Sequence, residues 1–162
     1  MKKMRIGLIF IAIVLIILGW GAHKEKVQKQ QINTILNNQQ DVNQIVVMNH
    51  QTNKEKELNK SEAAQYKEEN PLSHIEKLDS GDRKLFADKA DYSITYRIDS
   101  KKLYSVEILR LKGKDAAISD ELRPFLFNVN GKSYMIYWPE QNKVLEQSEN
   151  TQKLLNNLIK VE

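Results

Sequence analysis

The sequence predicts an α+β protein held at a membrane: an N-terminal transmembrane helix, a polar and partly helical stalk, and a small antiparallel sheet of four to five strands with flanking helices. Three observations predict it. Residues 6–22 read IGLIFIAIVLIILGWGA, an unbroken apolar run behind Lys2, Lys3 and Arg5. Half of residues 28–53 are Gln or Asn, with neither Gly nor Pro among them. Beyond residue 91, apolar side chains alternate with polar ones, the period of a half-buried strand.

The apolar run can cross a bilayer only with its amides bonded within the segment, which means as a helix. At 1.5 Å per residue it measures roughly 26 Å, close to the lower limit for a span. Basic residues flank it on both sides, with Lys24, Lys26 and Lys29 following. The short basic start places the N-terminus in the cytoplasm and residues 23–162 outside, since the opposite orientation translocates those charges first. The expected organisation is a cytoplasmic tip and signal-anchor over 1–22, a stalk over 23–69 and an extracytoplasmic α+β domain over 70–162. The alternative is a cleaved signal peptide, with Gly19 and Gly21 as small residues at the exit and secretion after cleavage near Gly21. With no cysteine in the chain, a lipid-modified cysteine, disulfides and thiol chemistry are excluded.

The formal charge of +4 does not describe a nucleic-acid binder. Without Lys2, Lys3 and Arg5, 22 basic residues face 21 acidic ones. Neutralising several phosphates needs a clustered basic excess, and none remains.

In the stalk, Ile32, Ile35, Val42 and Val46 fall near one stripe of a helical wheel. That makes a spacer or a short seam for self-association, too brief for a sustained coiled coil. Ile45-Val46-Val47-Met48 reads as a short strand joining the later sheet, or as an apolar patch through which the stalk docks. Residues 52–70 read as an exposed charged helix or connector with Ser61 as N-cap.

Asn70-Pro71 opens a helix carrying Leu72, Ile75 and Leu78, stopping at Asp79-Ser80-Gly81-Asp82. Another turn or two should bury Leu85 and Phe86. Tyr92, Ile94, Tyr96 and Ile98 then mark a strand, Asp99–Lys102 a turn, and Leu103–Leu111 its antiparallel neighbour. Asn130-Gly131 predicts a two-residue type I′ hairpin, because both positions need positive φ. Its register sets Val129 opposite Lys132, Phe127 opposite Tyr134 and Phe125 opposite Ile136. One face then carries Phe125, Phe127, Val129, Tyr134, Ile136 and Trp138, and the other Leu126, Met135 and Tyr137. Residues 143–147 suggest a fifth strand. Ser148 caps a final helix with Leu154, Leu155 and Leu158 toward the sheet.

Catalytic and metal motifs are missing. The histidines, His23, His50 and His74, are scattered, with no His-Glu-x-x-His, Gly-x-Ser-x-Gly or phosphate loop. Asp79 with Asp82, and Asp120 with Glu121, are carboxylate pairs of the kind a glycosidase uses, in turn contexts where Asp serves structure. Asn59-Lys60-Ser61 matches a glycosylation acceptor, a tripeptide common by chance. No catalytic, cofactor or metal residue is assigned, and a non-enzymatic protein is expected. Two residue sets carry binding expectations: Leu126, Met135 and Tyr137 as a partner-binding face, and Tyr92, Tyr96 and Trp138 as a pocket. The layout of anchor, stalk and small antiparallel domain resembles, in architecture alone, assembly subunits of bacterial secretion, conjugation or pilus-like machines. It lacks the Gly-Phe start and buried glutamate of pilin-like subunits. The expected partners are the membrane, through residues 6–22, and an envelope protein. A cell-wall or small-molecule binding module is the alternative.

Overall fold

The computed structural model describes residues 21, 23–68, 75–113, 118–146, 152–153 and 155–157. The chain divides into two compact units, Met1–Asn37 and Asn38–Glu162. A helix over 23–38 (α1), all but its last residue in the first unit, carries Gln-rich sequence, with the Thr34 hydroxyl donating to the Gln30 carbonyl at 2.9 Å. Apart from Gly21, the apolar run 6–22 lies outside the described residues. Among those residues no helix is long and apolar enough to cross a membrane.

The second unit is built on one antiparallel sheet of eight strands. They are β1 (Gln44–Asn49), β2 (Lys54–Glu57), β3 (Ile75–Lys77), β4 (Tyr92–Ile98), β5 (Lys101–Arg110), β6 (Leu126–Val129), β7 (Lys132–Trp138) and β8 (Lys143–Leu145). Their order is β2-β1-β4-β5-β7-β8-β3. β5 pairs with residues 134–137 of β7, while β6 takes 132–135 and β8 takes 136–138. A strand has two edges, so β6 and β8 lie end to end along the edge of β7 away from β5.

The expected count of four to five strands is therefore too low. β1 follows a 3-10 turn at Gln39–Asp41, and its run Ile45-Val46-Val47 is buried on both faces between β2 and β4. β-branched residues suit that pleated, enclosed position better than a helix. Val42 and Val46 thus leave the helical stripe drawn from the sequence. β2 falls where the sequence suggests helix or connector. It is a strand because Asn49 Oδ1 accepts from the Gln51 and Thr52 amides, at 2.7 and 3.1 Å, and Asn53 takes φ 57°. Asx geometry and a left-handed asparagine here close a turn without Gly or Pro. Ile75–Lys77, helical by its spacing, is instead β3, paired with β8. A helical turn comes later, at Ser80–Arg83 (α3).

α2 (Lys60–Glu68) begins ahead of the expected cap. Asn59 Oδ1 accepts from the amides of Ser61 and Glu62 at 3.0 Å each, and Glu62 Oε2 accepts from the Asn59 amide at 2.9 Å. This reciprocal box, rather than Ser61, satisfies the first-turn donors.

The Asn130-Gly131 turn forms as expected, with φ of 51° and 74° and the Val129–Lys132 and Phe127–Tyr134 pairs in register. Phe125 departs from that register. It lies in a 3-10 turn over Arg123–Phe125, with Pro124 inside it, and packs on the opposite face. Asp99 and Ser100 make a second tight turn, both at positive φ, and the ladder shifts between Tyr96 and Arg97 so that Leu103 is the extra residue.

One sheet face holds Ile45, Ile94, Tyr96, Tyr104, Val106, Ile108, Ile136 and Trp138, all 2 % exposed or less. Tyr96 stacks on its cross-strand partner Tyr104 with centroids 4.2 Å apart, and Tyr104 meets Trp138 at 5.3 Å. On the other face, Leu109, Leu111, Met135 and Val144 are covered by Leu78 and Phe86 from one segment and by Ile118, Leu122 and Phe125 from another. The Phe86 backbone bridges to Leu111, which keeps that cover in place. Leu155, in the helical stretch at 155–157, is fully buried. Ser148, Leu154 and Leu158 of the expected final helix lie outside the described residues, as do Asn70, Pro71, Leu72 and His74.

Candidate functional site

A concavity of the second unit forms where β3, α3 and the 118–125 segment meet. It encloses about 610 Å³, within the range of small-ligand sites. Its floor is apolar, from Ile75, Leu122, Pro124 and Phe125, and its rim carries Glu76, Asp79, Asp82, Glu121 and Glu146 against Lys77. Local structure explains the concentration. Asp79 occupies the N-cap position of α3 yet makes no side-chain cap bond. The 3-10 turn at Arg123–Phe125 folds Leu122 and Phe125 inward and leaves Glu121 exposed.

Elsewhere, Glu62, Asp88, Asp91, Asp120 and Glu140 each lie within 2.9 to 3.4 Å of a Lys or Arg nitrogen. Glu76, Asp79, Asp82 and Glu121 enter no such pair among the described residues, so the groove has a net negative field. Of the two carboxylate pairs seen in the sequence, Asp79 and Asp82 both line it. The second pair is divided: Glu121 lines the groove, while Asp120 pairs with Arg123 at 2.9 Å. Such a rim attracts cations or basic groups, over a floor that can take an apolar body.

The asparagine at the end of the β7–β8 connection braces the wall beside this groove. Asn142 holds φ 52°, its Nδ2 donates to the Leu78 carbonyl at 3.1 Å, and its Oδ1 accepts from the Tyr137 hydroxyl at 3.1 Å. Arg83 lies 5.5 Å from the Tyr137 ring centroid and also donates to the Ala87 carbonyl.

The two residue sets singled out from the sequence are placed differently from each other. Leu126, Met135 and Tyr137 do share one face. Met135 is fully buried beneath the 78–90 and 118–125 segments, while Leu126 and Tyr137 are half-buried at the margin of that cluster. Tyr92, Tyr96 and Trp138 are 7 %, 2 % and 1 % exposed, packed within the sheet's other face.

One pairing escaped sequence reasoning. His50 Nε2 lies 3.0 Å from Ser93 Oγ, brought across 43 residues by the β1–β4 register. A hydroxyl beside an imidazole is two parts of a nucleophilic site, which also needs an orienting acid and an oxyanion cradle. The nearby Asp91 carboxylate is engaged by Arg110 at 3.4 Å and by the Tyr134 phenol, whose ionisation is pushed up by burial and then by that carboxylate. The exposed His50–Ser93 pair ties the β1–β2 turn to β4. Only the strand pairing could have found it. Among the described residues, no group of three or more His, Asp or Glu is placed to hold a metal ion.

No family model matches the chain, and no curated protein or solved structure matches it either. Its function therefore rests on these residues alone.

Proposed function

We propose that this is a membrane-anchored, extracytoplasmic protein of a bacterial envelope that acts without catalysis, by binding another protein as an assembly subunit. The observation that carries this reading is the 17-residue apolar run directly behind Lys2, Lys3 and Arg5, whose physics is that of a signal-anchor. The near balance of charge downstream and a compact α+β unit at Asn38–Glu162 support a soluble head on that anchor. Leu126 and Tyr137, at the margin of an otherwise covered face, are its proposed contact residues.

Two measurements test this together. Protease added to intact spheroplasts should digest the head and spare the N-terminal tip. Crosslinking in cells should then recover a reproducible set of envelope proteins, lost in Leu126→Ser/Tyr137→Ser if that variant keeps its thermal transition. A head that is protected from protease, or self-recovery alone under conditions that capture a known membrane complex, would overturn the reading.

The acidic groove favours one second reading: a binding module for a cationic small molecule or a cell-wall fragment. Its mark would be saturable binding of such a ligand, weakened at least about tenfold by Asp79→Asn/Asp82→Asn and unaffected by the Leu126 and Tyr137 changes.

A further inference from the structure

Among the described residues, β2 is the outermost strand at one end of the sheet order, pairs with β1 alone, and exposes all four of its side chains. An open edge of this kind is a template for another strand. The sequence of β2 is Lys54-Glu55-Lys56-Glu57, so its charge alternates with its pleat. The register puts Lys54 opposite Asn49 and Lys56 opposite Val47, hence on one face, and Glu55 and Glu57 opposite Met48 and Val46, on the other.

We infer that this alternation bars a second copy of the chain from joining the sheet antiparallel through β2. The reason is geometric. When the same edge of two copies meets with strands running oppositely, reversing both the strand direction and the edge direction leaves the sheet normal unchanged. Lysine face then continues lysine face, and glutamate face continues glutamate face. Every residue on β2 must oppose one of the same parity, so wherever two β2 residues face each other they carry the same charge. Centred on Lys56, the pairing sets Lys56 against Lys56 and Glu55 against Glu57 twice. Centred on Glu55, it sets Glu55 against Glu55 and Lys54 against Lys56 twice. Opposed side chains stand about 5 Å apart at Cβ, where like charges destabilise the ladder.

The glutamate face is the stronger part of the bar. Lys56 is partly neutralised by Glu62 at 3.1 Å, while Glu55 and Glu57 enter no ion pair among the described residues. A parallel copy would invert the faces and escape the repulsion, but it would have to use the less stable parallel ladder. The antiparallel route is the one the charges close.

The chain contains no cysteine, so a single introduced thiol reports one contact. In full-length protein in detergent micelles, Lys56→Cys places the thiol on the two-fold position of the Lys56-centred pairing. The inference expects E55T/E57T/K56C to form the disulfide-linked dimer about tenfold more readily than K56C alone, equivalent to ~1.4 kcal/mol. It also expects added salt to narrow the gap by screening the glutamates that K56C retains. Equal crosslinking of the two variants, each with unchanged circular dichroism, would overturn it.

Discussion

Single side chains in this protein have structural effects that can be read in a pH titration. The Glu62 carboxyl is held below its ordinary value of 4.5, first by the Asn59 amide it accepts from and then by Lys56. A depressed carboxylate stabilises the fold while it is ionised. The contribution is present above the unfolded value and is lost as pH falls through the lower folded one. Because the group is largely exposed, solvent screens it, and the effect should be no more than about 0.5 kcal/mol at neutral pH. Thermal melts of Glu62→Gln should fall slightly below wild type at neutral pH, and the two should converge as pH falls well below the ordinary carboxyl value. A gap that persists at low pH would assign the loss to geometry rather than charge. The same box also explains why helix α2 starts where it does, which Ser61 alone could not.

At the scale of elements, turns decide the ladders. Asp99 and Ser100 both sit at positive φ, which is uncomfortable for residues with a Cβ. Asp99 is held there by Asn43: its carboxylate accepts from Asn43 Nδ2 at 2.8 Å, and its amide donates to Asn43 Oδ1 at 3.1 Å. No such bond holds Ser100 among the described residues. Ser100→Gly should therefore stabilise the protein by about 0.5 kcal/mol, the relieved Cβ strain exceeding the extra freedom gained by the unfolded chain. A rise in the urea midpoint at unchanged slope checks this. Asp99→Gly should instead lose stability, because the carboxylate's bond to Asn43 goes with it. The Asn130-Gly131 turn needed no such help to be recognised, since both residue types signal positive φ by themselves. The β1–β2 turn, built from Asn49 and Asn53 inside an amide-rich stretch, carried no Gly or Pro to mark it.

For the whole molecule, the consequence is where the folded head begins. β1 pairs with β4 over six residues, Asn49 to Gln44 against Tyr92 to Arg97, and buries Ile45 completely. A protein made of residues 70–162 alone would leave that edge of β4 unpaired and uncover Ile94 and Tyr96. It should show no cooperative thermal transition, whereas residues 38–162 should melt in one step with protected β4 and β5 amides. If 70–162 melts cooperatively with the same protection, the strands at 44–57 are accessory. The proposed anchor and the proposed partner are tested separately by the protease and crosslinking measurements above.

Parts of the fold whose signals are local were legible in the residues. They are the mixed α+β class, the Asn130-Gly131 register, the alternating faces of β4 and β7, and the apolar run before residue 23. Each follows from residues a few positions apart, through pleat, turn chemistry or length. The rest depended on contacts between distant segments. Of the two readings of Ile45–Met48, the strand formed because β4 offered β1 an edge some forty residues away, and β2 then paired on β1. Ile75–Lys77 became a strand because β8 was there to pair it, although Leu72, Ile75 and Leu78 have helical spacing. Met135 is buried because two irregular segments cover it. The acidic groove exists because β3, the end of β8 and those same segments bring Glu76, Asp79, Asp82, Glu121 and Glu146 together across seventy residues. Local propensity is worth tenths of a kcal/mol per residue, whereas burial of a large apolar side chain is worth about 2 kcal/mol. Where the two disagreed, long-range packing prevailed.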